Sequence, residues 1–294
     1  MLTFQPVTLA DIDTLRPFFA ERKGRACDYT VGGTLLWRDF FSTAFALWEE
    51  TLLFRHRHVD GSIAFSMPMG KNVSGALERI RSECREAGIP CLISFIEEED
   101  LAVLREEYQV IVCEERDWFD YLYRAEDLGQ MTGRRYNGQR NHMNAFKKEN
   151  PDWFYAPLDG STLGDVSDFF ARFRSVYAKE SAAFWEELEK TSEFLENLPA
   201  YGMVGTVLYR APGAVAAFSA GEVVGDTLYA HIEKADHTVR GSYQMIASGF
   251  VRMHAGEGVA FVNREDDSGD EGLRRSKLSY HPERLIPKYT ATLL

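Results

Sequence analysis

The chain has 294 residues, a formal net charge of −12 and 45% hydrophobic residues, which suits one large domain or two of ordinary size. This apolar content supports a packed core and excludes a disordered chain. The acidic balance argues against a generic nucleic-acid coat, because binding along a phosphate backbone needs many cations, but it leaves one local basic site open. We expect no DNA partner. No apolar run approaches the ~18–20 residues that span a bilayer, and the start lacks a basic segment followed by an apolar one. We therefore expect a cytoplasmic protein, with peripheral membrane attachment left open.

The cysteines and histidines lack the spacing of a metal site. Four cysteines occur without a C-x-x-C pair or a histidine at ligand spacing, so we expect ordinary thiols at Cys27, Cys84, Cys91 and Cys113. His56 and His58 alternate as strand residues do, and we expect them to pack or to lie on the surface. "DDSGDEG" holds closely spaced acids but does not match the twelve-residue calcium loop. We predict no metal site.

The first half of the chain alternates between helix and strand patterns. "SGALERIRSECREAG" predicts an amphipathic helix and "IPCLISF" a strand. The acidic turn "IEEED" follows, then a helix around "LAVLREE" and strands through "YQVIVCEERDWFDYLY". The next segment, "MTGRRYNGQRNHMNAFKK", holds five cations and no acid, which is an exception in so acidic a chain. We interpret it as a connector helix near Asn137 to Asn150 that Pro151 stops.

The second half repeats this order of elements. "AVAAFSAGEVVGDTLYAHIEKAD" predicts an antiparallel hairpin that turns near Gly225. A helix in "GSYQMIASGFVRMHAGEG", a strand in "VAFV", the acidic turn "NREDD", a helix in "GLRRSKLSY" and a final strand in "RLIPKYTATL" follow. Such self-similarity indicates a duplicated α/β module. We predict an N-terminal domain over 1–135 and a C-terminal domain over 136–294, with the active crevice in the second.

This order of hairpin, helix, strand, asparagine, helix and strand resembles the acyltransferase fold known as GNAT. That fold binds the pyrophosphate of coenzyme A at the turn before the helix, which corresponds here to "HTVRGSYQM". Arg240 and Gly241 fit the pattern in part. Ser242 and Tyr243 stand where small residues would let the phosphates approach. The coenzyme A signal is therefore weak.

Three stretches resemble the phosphatidylglycerol lysyltransferase C-terminal domain family over nearly the whole chain. They are "DWFDYLYRAEDLGQMTGRRYNGQRNHMNAF", "YAHIEKADHTVRGSYQMI" and "VNREDDSGDEGLRRSKLSYHPERLIPKY". The resemblance implies α/β mixed sheets in two tandem GNAT-like domains, as in Fem-type peptidyltransferases. It also implies transfer of an amino acid from aminoacyl-tRNA, with no cofactor required because the ester is already activated. Without membrane spans in this sequence, the acceptor stays open between a lipid at the membrane face, a peptide and a small amine.

The charge cluster after "VAFV" supplies groups for such a transfer. We expect Glu265, Asp266 or Asp267 to hold the donor's ammonium group or to act as general base, although at most two of three adjacent carboxylates can face one pocket. Lys277 would stabilise the oxyanion or face a phosphate. Glu233 is the rival base, since alternation along its strand would put it on one face with His231.

Further residues are predicted to bind the substrates. The catalytic candidates are Glu233, Glu265, Asp266 and Lys277. The substrate-binding candidates are His231, Tyr243, Asn263, Asp267, Arg274 and Tyr280. The candidates for the phosphates of the tRNA are Arg134, Arg135, Arg140, Asn141, Asn144 and Arg240. Arg274 lies one helical turn before Lys277, and Arg140 one turn before Asn144, so each pair would share a helix face.

Two other functions compete with aminoacyl transfer. A coenzyme A-dependent N-acetyltransferase is the parent chemistry of the fold, but the glycines of its phosphate turn are missing here. A binding module without catalysis is the other alternative, because a fold by itself does not define a reaction. For the charged residues, the competing interpretation is an exposed helix face or a surface ion pair.

Overall fold

The computed structural model describes residues 2–176 and 182–294. Its helices are α1 Ile12–Glu21, α2 Val31–Leu36, α3 Val73–Ala87, α4 Glu98–Glu107, α5 Ala125–Gln130, α6 Asn137–Glu149, α7 Leu163–Val176, α8 Ala182–Glu196, α9 Leu198–Tyr201, α10 Ser242–His254 and α11 Glu271–Leu278. Its strands are β1 Gln5–Pro6, β2 Ala44–Trp48, β3 Thr51–Arg57, β4 Ile63–Ser66, β5 Met69–Gly70, β6 Cys91–Ile96, β7 Val110–Glu114, β8 Asp120–Arg124, β9 Phe154–Pro157, β10 Val204–Ala211, β11 Ala214–Val224, β12 Thr227–Ala235, β13 Phe261–Asn263, β14 Arg284–Ile286 and β15 Tyr289–Leu293.

The chain forms two compact units, and each unit draws on separate parts of the sequence. The first comprises Met1–Asp120, Asp266–Asp270 and Ile286–Leu294, and the second comprises Tyr121–Glu265 and Glu271–Leu285. This division differs from the contiguous segments 1–135 and 136–294 expected from the sequence. The reason is strand pairing, since β8 belongs to the sheet of the second unit and β15 to the sheet of the first.

The first unit is built on a mixed sheet with the strand order β1-β2-β3-β4-β6-β15-β7, and β5 pairs with β3. β4 and β6 are parallel and are joined through α3. The side chain of Asn72 caps α3 by accepting a hydrogen bond from the Gly75 N–H. The helix ends at Gly88, whose φ of 67° is the left-handed geometry that glycine adopts without strain. The buried face of α3 packs against the sheet at β6.

The second unit has the strand order β14-β8-β13-β12-β11-β10-β9. β11 and β12 form the predicted antiparallel hairpin and turn at Gly225, where φ is 58°. β12 and β13 are parallel and are joined through α10, which confirms the predicted helix. Met245, Ile246 and Phe250 of α10 are buried in the hydrophobic core of this unit. The sheet and α10 thereby hold the acidic loop after Asn263 at the carboxyl end of β13.

The two units repeat one order of elements. Along the chain, β4, α3, β6, α4, β7 and β8 correspond to β12, α10, β13, α11, β14 and β15. The last strand of each repeat lies in the sheet of the other unit, with β8 between β13 and β14 and β15 between β6 and β7. The predicted duplication of an α/β module is confirmed, and the exchange of last strands is a feature that the sequence did not indicate.

Two predicted elements have different limits in the structure. "RLIPKYTATL" is two strands in two sheets, since β14 ends at Ile286 and β15 begins at Tyr289. Pro287 stands in the interruption, and proline cannot donate a ladder hydrogen bond. The acidic "IEEED" is the start of α4 rather than a turn, with Glu98, Glu99 and Asp100 in its first turn. Carboxylates there are stabilised by the helix dipole.

Candidate functional site

A buried lysine organises a cluster of charges in the first unit. Lys288 precedes β15 and is 1% exposed. Its Nζ lies 2.6 Å from Asp28 Oδ2 and 2.7 Å from Asp120 Oδ1, and it donates to Cys27 Sγ at 3.5 Å. Asp120, which is fully buried, also accepts a hydrogen bond of 2.7 Å from the Cys27 N–H. The side chains of Cys27, Asp28 and Asp120 are close enough to hold a metal ion, but the ammonium of Lys288 lies among them.

The protonation of this cluster is set by burial and by the opposed charges. Burial lowers the pKa of Lys288, but Asp120 and Asp28 more than offset this effect and keep that pKa well above its ordinary value. Burial raises the pKa of Asp28 to about 6, although Lys288 opposes the rise. Lys288 is therefore a permanent cation at neutral pH. Asp28 is a carboxyl group that can take up and release a proton close to neutrality.

Asp28 opens into a small pocket with aromatic walls. The cavity has a volume of about 30 Å³. Its aromatic lining comprises Trp37, Phe41, Phe54, His56, Phe95 and Trp118, and its polar lining includes Cys27, Asp28, Thr34, Thr43 and Asp266. A volume of ~30 Å³ matches one water-sized group. Aromatic faces together with carboxylates favour a cation, so the pocket suits a single ammonium group.

His56 contributes a neutral wall to this pocket. Its ring is buried and hydrogen-bonds Ser66 Oγ and, at 3.3 Å, Thr43 Oγ1. Burial, and to a lesser degree His58, lowers the pKa of His56 to about 3. The imidazole is therefore uncharged at neutral pH and does not compete with a bound cation.

The structure divides the predicted acidic loop between the two units. Asp266 and Asp267 belong to the first unit, while Glu265 belongs to the second. Asp266 lines the aromatic pocket, and its Oδ1 accepts two hydrogen bonds of 2.9 Å from Ser268. Asp267 is fully buried and forms an ion pair of 3.4 Å with Arg116. Of these three carboxylates, Asp266 is therefore the one that reaches the pocket.

Glu265 holds a buried histidine in the second unit. His231 Nδ1 lies 2.7 Å from Glu265 Oε1, and His231 Nε2 lies 3.2 Å from Glu222 Oε1. Burial lowers the pKa of His231, but the hydrogen bonds with Glu222 and Glu265 outweigh it and raise that pKa to about 9. The ring is an imidazolium at neutral pH, fixed between two carboxylates.

The prediction that His231 and Glu233 share a strand face is wrong. Ala220 pairs with Ile232 and Gly221 with Ala230, so His231 is an extra residue in β12. Such a bulge breaks the two-residue alternation of side chains. By register, Glu233 lies on the face of Ala230, whereas His231 contacts Glu222 on the opposite face.

Glu233 pairs with an arginine that the sequence interpretation did not single out. Its Oε1 lies 2.7 Å from Nη2 of Arg264, and both side chains are largely buried. The Arg264 guanidinium lies 4.6 Å from the ring centre of Tyr280 and 5.8 Å from that of Tyr123. Burial lowers the pKa of Arg264, but Glu233 and the tyrosines raise it above its ordinary value. Glu233 is thus paired with Arg264 inside the second unit, and the competing interpretation of a surface ion pair is wrong for it.

Lys277 and Asn263 hold the start of the acidic loop. Lys277 is 8% exposed, and its Nζ donates to the Arg264 carbonyl at 2.6 Å. Asn263 is fully buried, and its Oδ1 accepts a hydrogen bond of 2.7 Å from the Glu265 N–H. The alternative of an exposed helix charge is therefore wrong for Lys277. Arg274, one turn earlier on α11, is half-buried.

The remaining predicted residues take different positions in the second unit. Tyr280 is buried beside Arg264, and Tyr243 is half-buried in the first turn of α10. Arg135 forms an ion pair of 2.6 Å with Asp127. Four further candidates are exposed, namely Arg134, Asn141, Asn144 and Arg240. Arg140 is half-buried and donates hydrogen bonds of 2.6 Å to the carbonyls of Met131 and Gly133.

Sequence reasoning missed three residues of the lysine cluster. Lys288 and Asp120 were assigned to strands as single charges in the apolar runs "LIPKYTATL" and "WFDYLY". A charge at such a position must be paired when it is buried. The isolated charge in each apolar run was therefore the sequence signal that could have indicated a buried ion pair. Asp28 in "RACDYTVGG" carries no comparable signal.

The raised pKa of His231 predicts a pH dependence of stability. A group whose pKa rises from 6.5 to about 9 on folding stabilises fully below pH ~6.5 and loses this contribution as the pH rises through ~9. We expect the free energy of unfolding in urea to fall by a few kcal/mol across this window. The fall should be smaller in Glu222→Gln, which lacks one of the two carboxylates, and an equal fall in both proteins would contradict the assignment.

The two sheets, each with a parallel strand pair joined through a helix, define a tandem GNAT-like fold. The chain belongs to the family described as phosphatidylglycerol lysyltransferase, C-terminal, whose model matches residues 19–292. Family and fold together indicate an acyltransferase-like function. In residues 2–176 and 182–294, no helix combines the length and apolar character needed to cross a membrane.

Two solved structures and one curated relative are similar to the chain. A conserved protein of unknown function from Bacteroides thetaiotaomicron is 30% identical with a TM-score of 0.91, over 100% of both chains. L-PGS from Bacillus licheniformis is 14% identical with a TM-score of 0.67, over 96% of this chain and 91% of that one. An uncharacterized protein of Mycoplasmoides gallisepticum is 24% identical over 66% of this chain. The match spans 62% of that relative's length.

Proposed function

We propose that the protein transfers an amino acid from aminoacyl-tRNA to an acceptor, and that the aromatic pocket of the first unit receives the α-ammonium group of the donor. The observation that carries this proposal is the combination of aromatic walls, two carboxylates and a volume of about 30 Å³. An ammonium group is the part of an aminoacyl ester that such a pocket would select. The family description names a lysyltransferase, and the resemblance to Fem-type transferases supports aminoacyl-tRNA as the donor.

The two carboxylates take separate roles in this proposal. Asp266, at the wall of the pocket, neutralises the ammonium group of the donor. Asp28, whose pKa burial raises to about 6, accepts the proton of the attacking acceptor hydroxyl or amine. The acceptor forms a bond to the ester carbonyl carbon, the bond from that carbon to the ribose oxygen breaks, and the proton passes to the departing ribose oxygen. Lys288, whose Nζ lies 2.6 Å from Asp28 Oδ2, holds Asp28 in place and favours its ionised form.

No nucleotide or coenzyme A is needed in this proposal, because the aminoacyl ester is already activated. The turn at the start of α10, where coenzyme A would bind, is also packed against α6. A side chain at Gly241 would come within 2.2 Å of the His142 carbonyl oxygen of α6. The Ser242 N–H donates to the Val239 carbonyl, and Ser242 Oγ donates to the Asp236 carbonyl. With the turn packed and bonded in this way, pyrophosphate binding at the start of α10 is disfavoured.

The acceptor is proposed to be a lipid, a peptide or a small amine.

The test is a binding measurement with three forms of tRNA: charged, uncharged and charged with the α-amino group acetylated. We expect tighter binding of the free-amino form than of the other two, because only that form carries the ammonium group. Asp266→Asn should remove this preference without changing the binding of uncharged tRNA. Asp270→Asn, an exposed position in the same loop, is the matched control. Equal binding of all three forms by the wild type, or binding of coenzyme A alone, would end the proposal.

A further inference from the structure

A second cavity lies within the second unit and is distinct from the aromatic pocket. It has a volume of about 330 Å³, and its walls come from α5, α6 and α10. Its polar lining residues are Gln130, Arg140, Asn144, Lys147, Ser248 and Arg252, which together we call the basic cleft. A volume of ~330 Å³ is at the lower end of the range for ligand sites. The cleft can therefore hold a group much larger than an ammonium ion.

The charge of the basic cleft has one sign. Arg140, Lys147 and Arg252 contribute three cations, and its lining contains no carboxylate. Within the part of the chain that the structure describes, neither Lys147 nor Arg252 forms an ion pair, although the Lys147 ammonium lies 5.5 Å from the ring centre of Trp153. In a protein with a net charge of −12, three cations gathered in a concavity create a local site for an anion.

The cleft is held in place by the backbone. Arg140, Asn144 and Lys147 fall on one face of α6 at positions i, i+4 and i+7. Arg140 is fixed by the carbonyls of Met131 and Gly133. On the opposite wall, Ser248 of α10 donates a hydrogen bond of 2.6 Å to the Gly129 carbonyl of α5. The cations are thus presented from packed helices rather than from a loose tail.

We propose that the basic cleft binds the phosphodiester backbone of the donor tRNA, an inference that rests on the proposed function. Arginine, lysine, asparagine, glutamine and serine side chains are the groups that contact phosphate and sugar in nucleic-acid complexes. Arg140 and Ser248 already donate to backbone carbonyls, so we assign the contacts with the strand to Asn144, Lys147 and Arg252. Such contacts fix the position of a strand without reading its sequence. The cleft would accordingly bind uncharged tRNA as well as charged tRNA.

A lipid headgroup shares the phosphodiester chemistry, but the surroundings of the cleft favour RNA. A helix that docks on a membrane surface presents a large apolar face beside its cations. The exposed residues of α6 are instead polar, small or charged, and its apolar Met143 and Phe146 are buried. RNA contacts the protein through such polar surfaces, and the headgroup alternative becomes an outcome of the test.

The experiment measures binding of uncharged tRNA to the full chain over a range of salt concentrations. The variant Lys147→Gln/Arg252→Gln removes two cations from the cleft. The control Lys148→Gln/Arg172→Gln removes the same charge from exposed positions outside it. Each lost phosphate contact should weaken binding about five- to eightfold at 0.1 M salt and reduce the slope of log K against log salt by ~0.7–0.9. The cleft variant should show about twice this change in slope, and the control almost none.

Equal losses of tRNA affinity in the cleft variant and the control would overturn the proposal. Wild-type tRNA affinity in both variants would overturn it as well. Loss of binding to phosphatidylglycerol vesicles, with tRNA binding unchanged, would also overturn it and assign the cleft to lipid headgroups. The cleft and the aromatic pocket can fail separately. If the cleft variant keeps wild-type affinity while Asp266→Asn still loses the preference for free-amino tRNA, the proposed function stands and the cleft is excluded.

Discussion

The Lys288→Met variant is expected to lose about 3–5 kcal/mol of folding free energy, because it leaves the fully buried Asp120 and the half-buried Asp28 without their shared cation. Asp28 and Asp120 both approach Lys288 Nζ within 2.7 Å, and the lysine is 1% exposed. Methionine fills a similar volume, so the loss reports on charge rather than on a cavity. Urea unfolding at pH 7 measures the loss.

Two comparisons isolate this effect. Lys71→Met breaks an ion pair of 2.5 Å with Glu50 in which both side chains are exposed, and its stability should be almost unchanged. Lys288→Met/Asp120→Asn removes one of the stranded charges and should recover part of the loss. If Lys288→Met unfolds like the wild type, the ion cluster does not stabilise the first unit.

The Arg264→Met variant is expected to lose a similar amount, about 3–5 kcal/mol, in the second unit. Arg264 neutralises the largely buried Glu233 and lies over the rings of Tyr280 and Tyr123. Its removal leaves Glu233 without a cation and takes away the cation–π contacts, so the two losses add. Chemical denaturation at neutral pH measures the change.

The matched control is Arg124→Met, since Arg124 holds Glu283 through two hydrogen bonds but is exposed. Its stability should stay close to that of the wild type. Replacing both partners in Arg264→Met/Glu233→Gln should be less harmful than Arg264→Met alone, because no charge is then left buried. A double variant as unstable as the single one would show that packing, rather than charge, accounts for the loss.

The order of elements could be predicted from the sequence because it depends on local patterns. The apolar face of α10 and the turn at Gly225 are visible within a few residues of one another. The fold class followed from that order together with the resemblance to a family. These features do not depend on contacts between distant parts of the chain.

The geometry of the site could not be predicted, because it depends on contacts between distant residues. Lys288 meets Cys27 across 261 positions of sequence, and a single charge in an apolar run does not name its partner. The bulge at His231 is a register shift between β11 and β12, and no residue type in "YAHIEKA" requires it. The division of the acidic loop after Glu265 follows from β15 pairing in the first sheet, which local periodicity cannot show.

The exchange of β8 and β15 constrains how this protein could have evolved after its module was duplicated. β15 is hydrogen-bonded on one side to β6 and on the other to β7. Loss of the second copy of the module would therefore leave two open strand edges inside the sheet of the first, and open edges promote aggregation. The same holds for β8, which lies between β13 and β14. Each copy is a structural requirement of the other, so a copy that lost its own chemistry would still be retained by selection for folding.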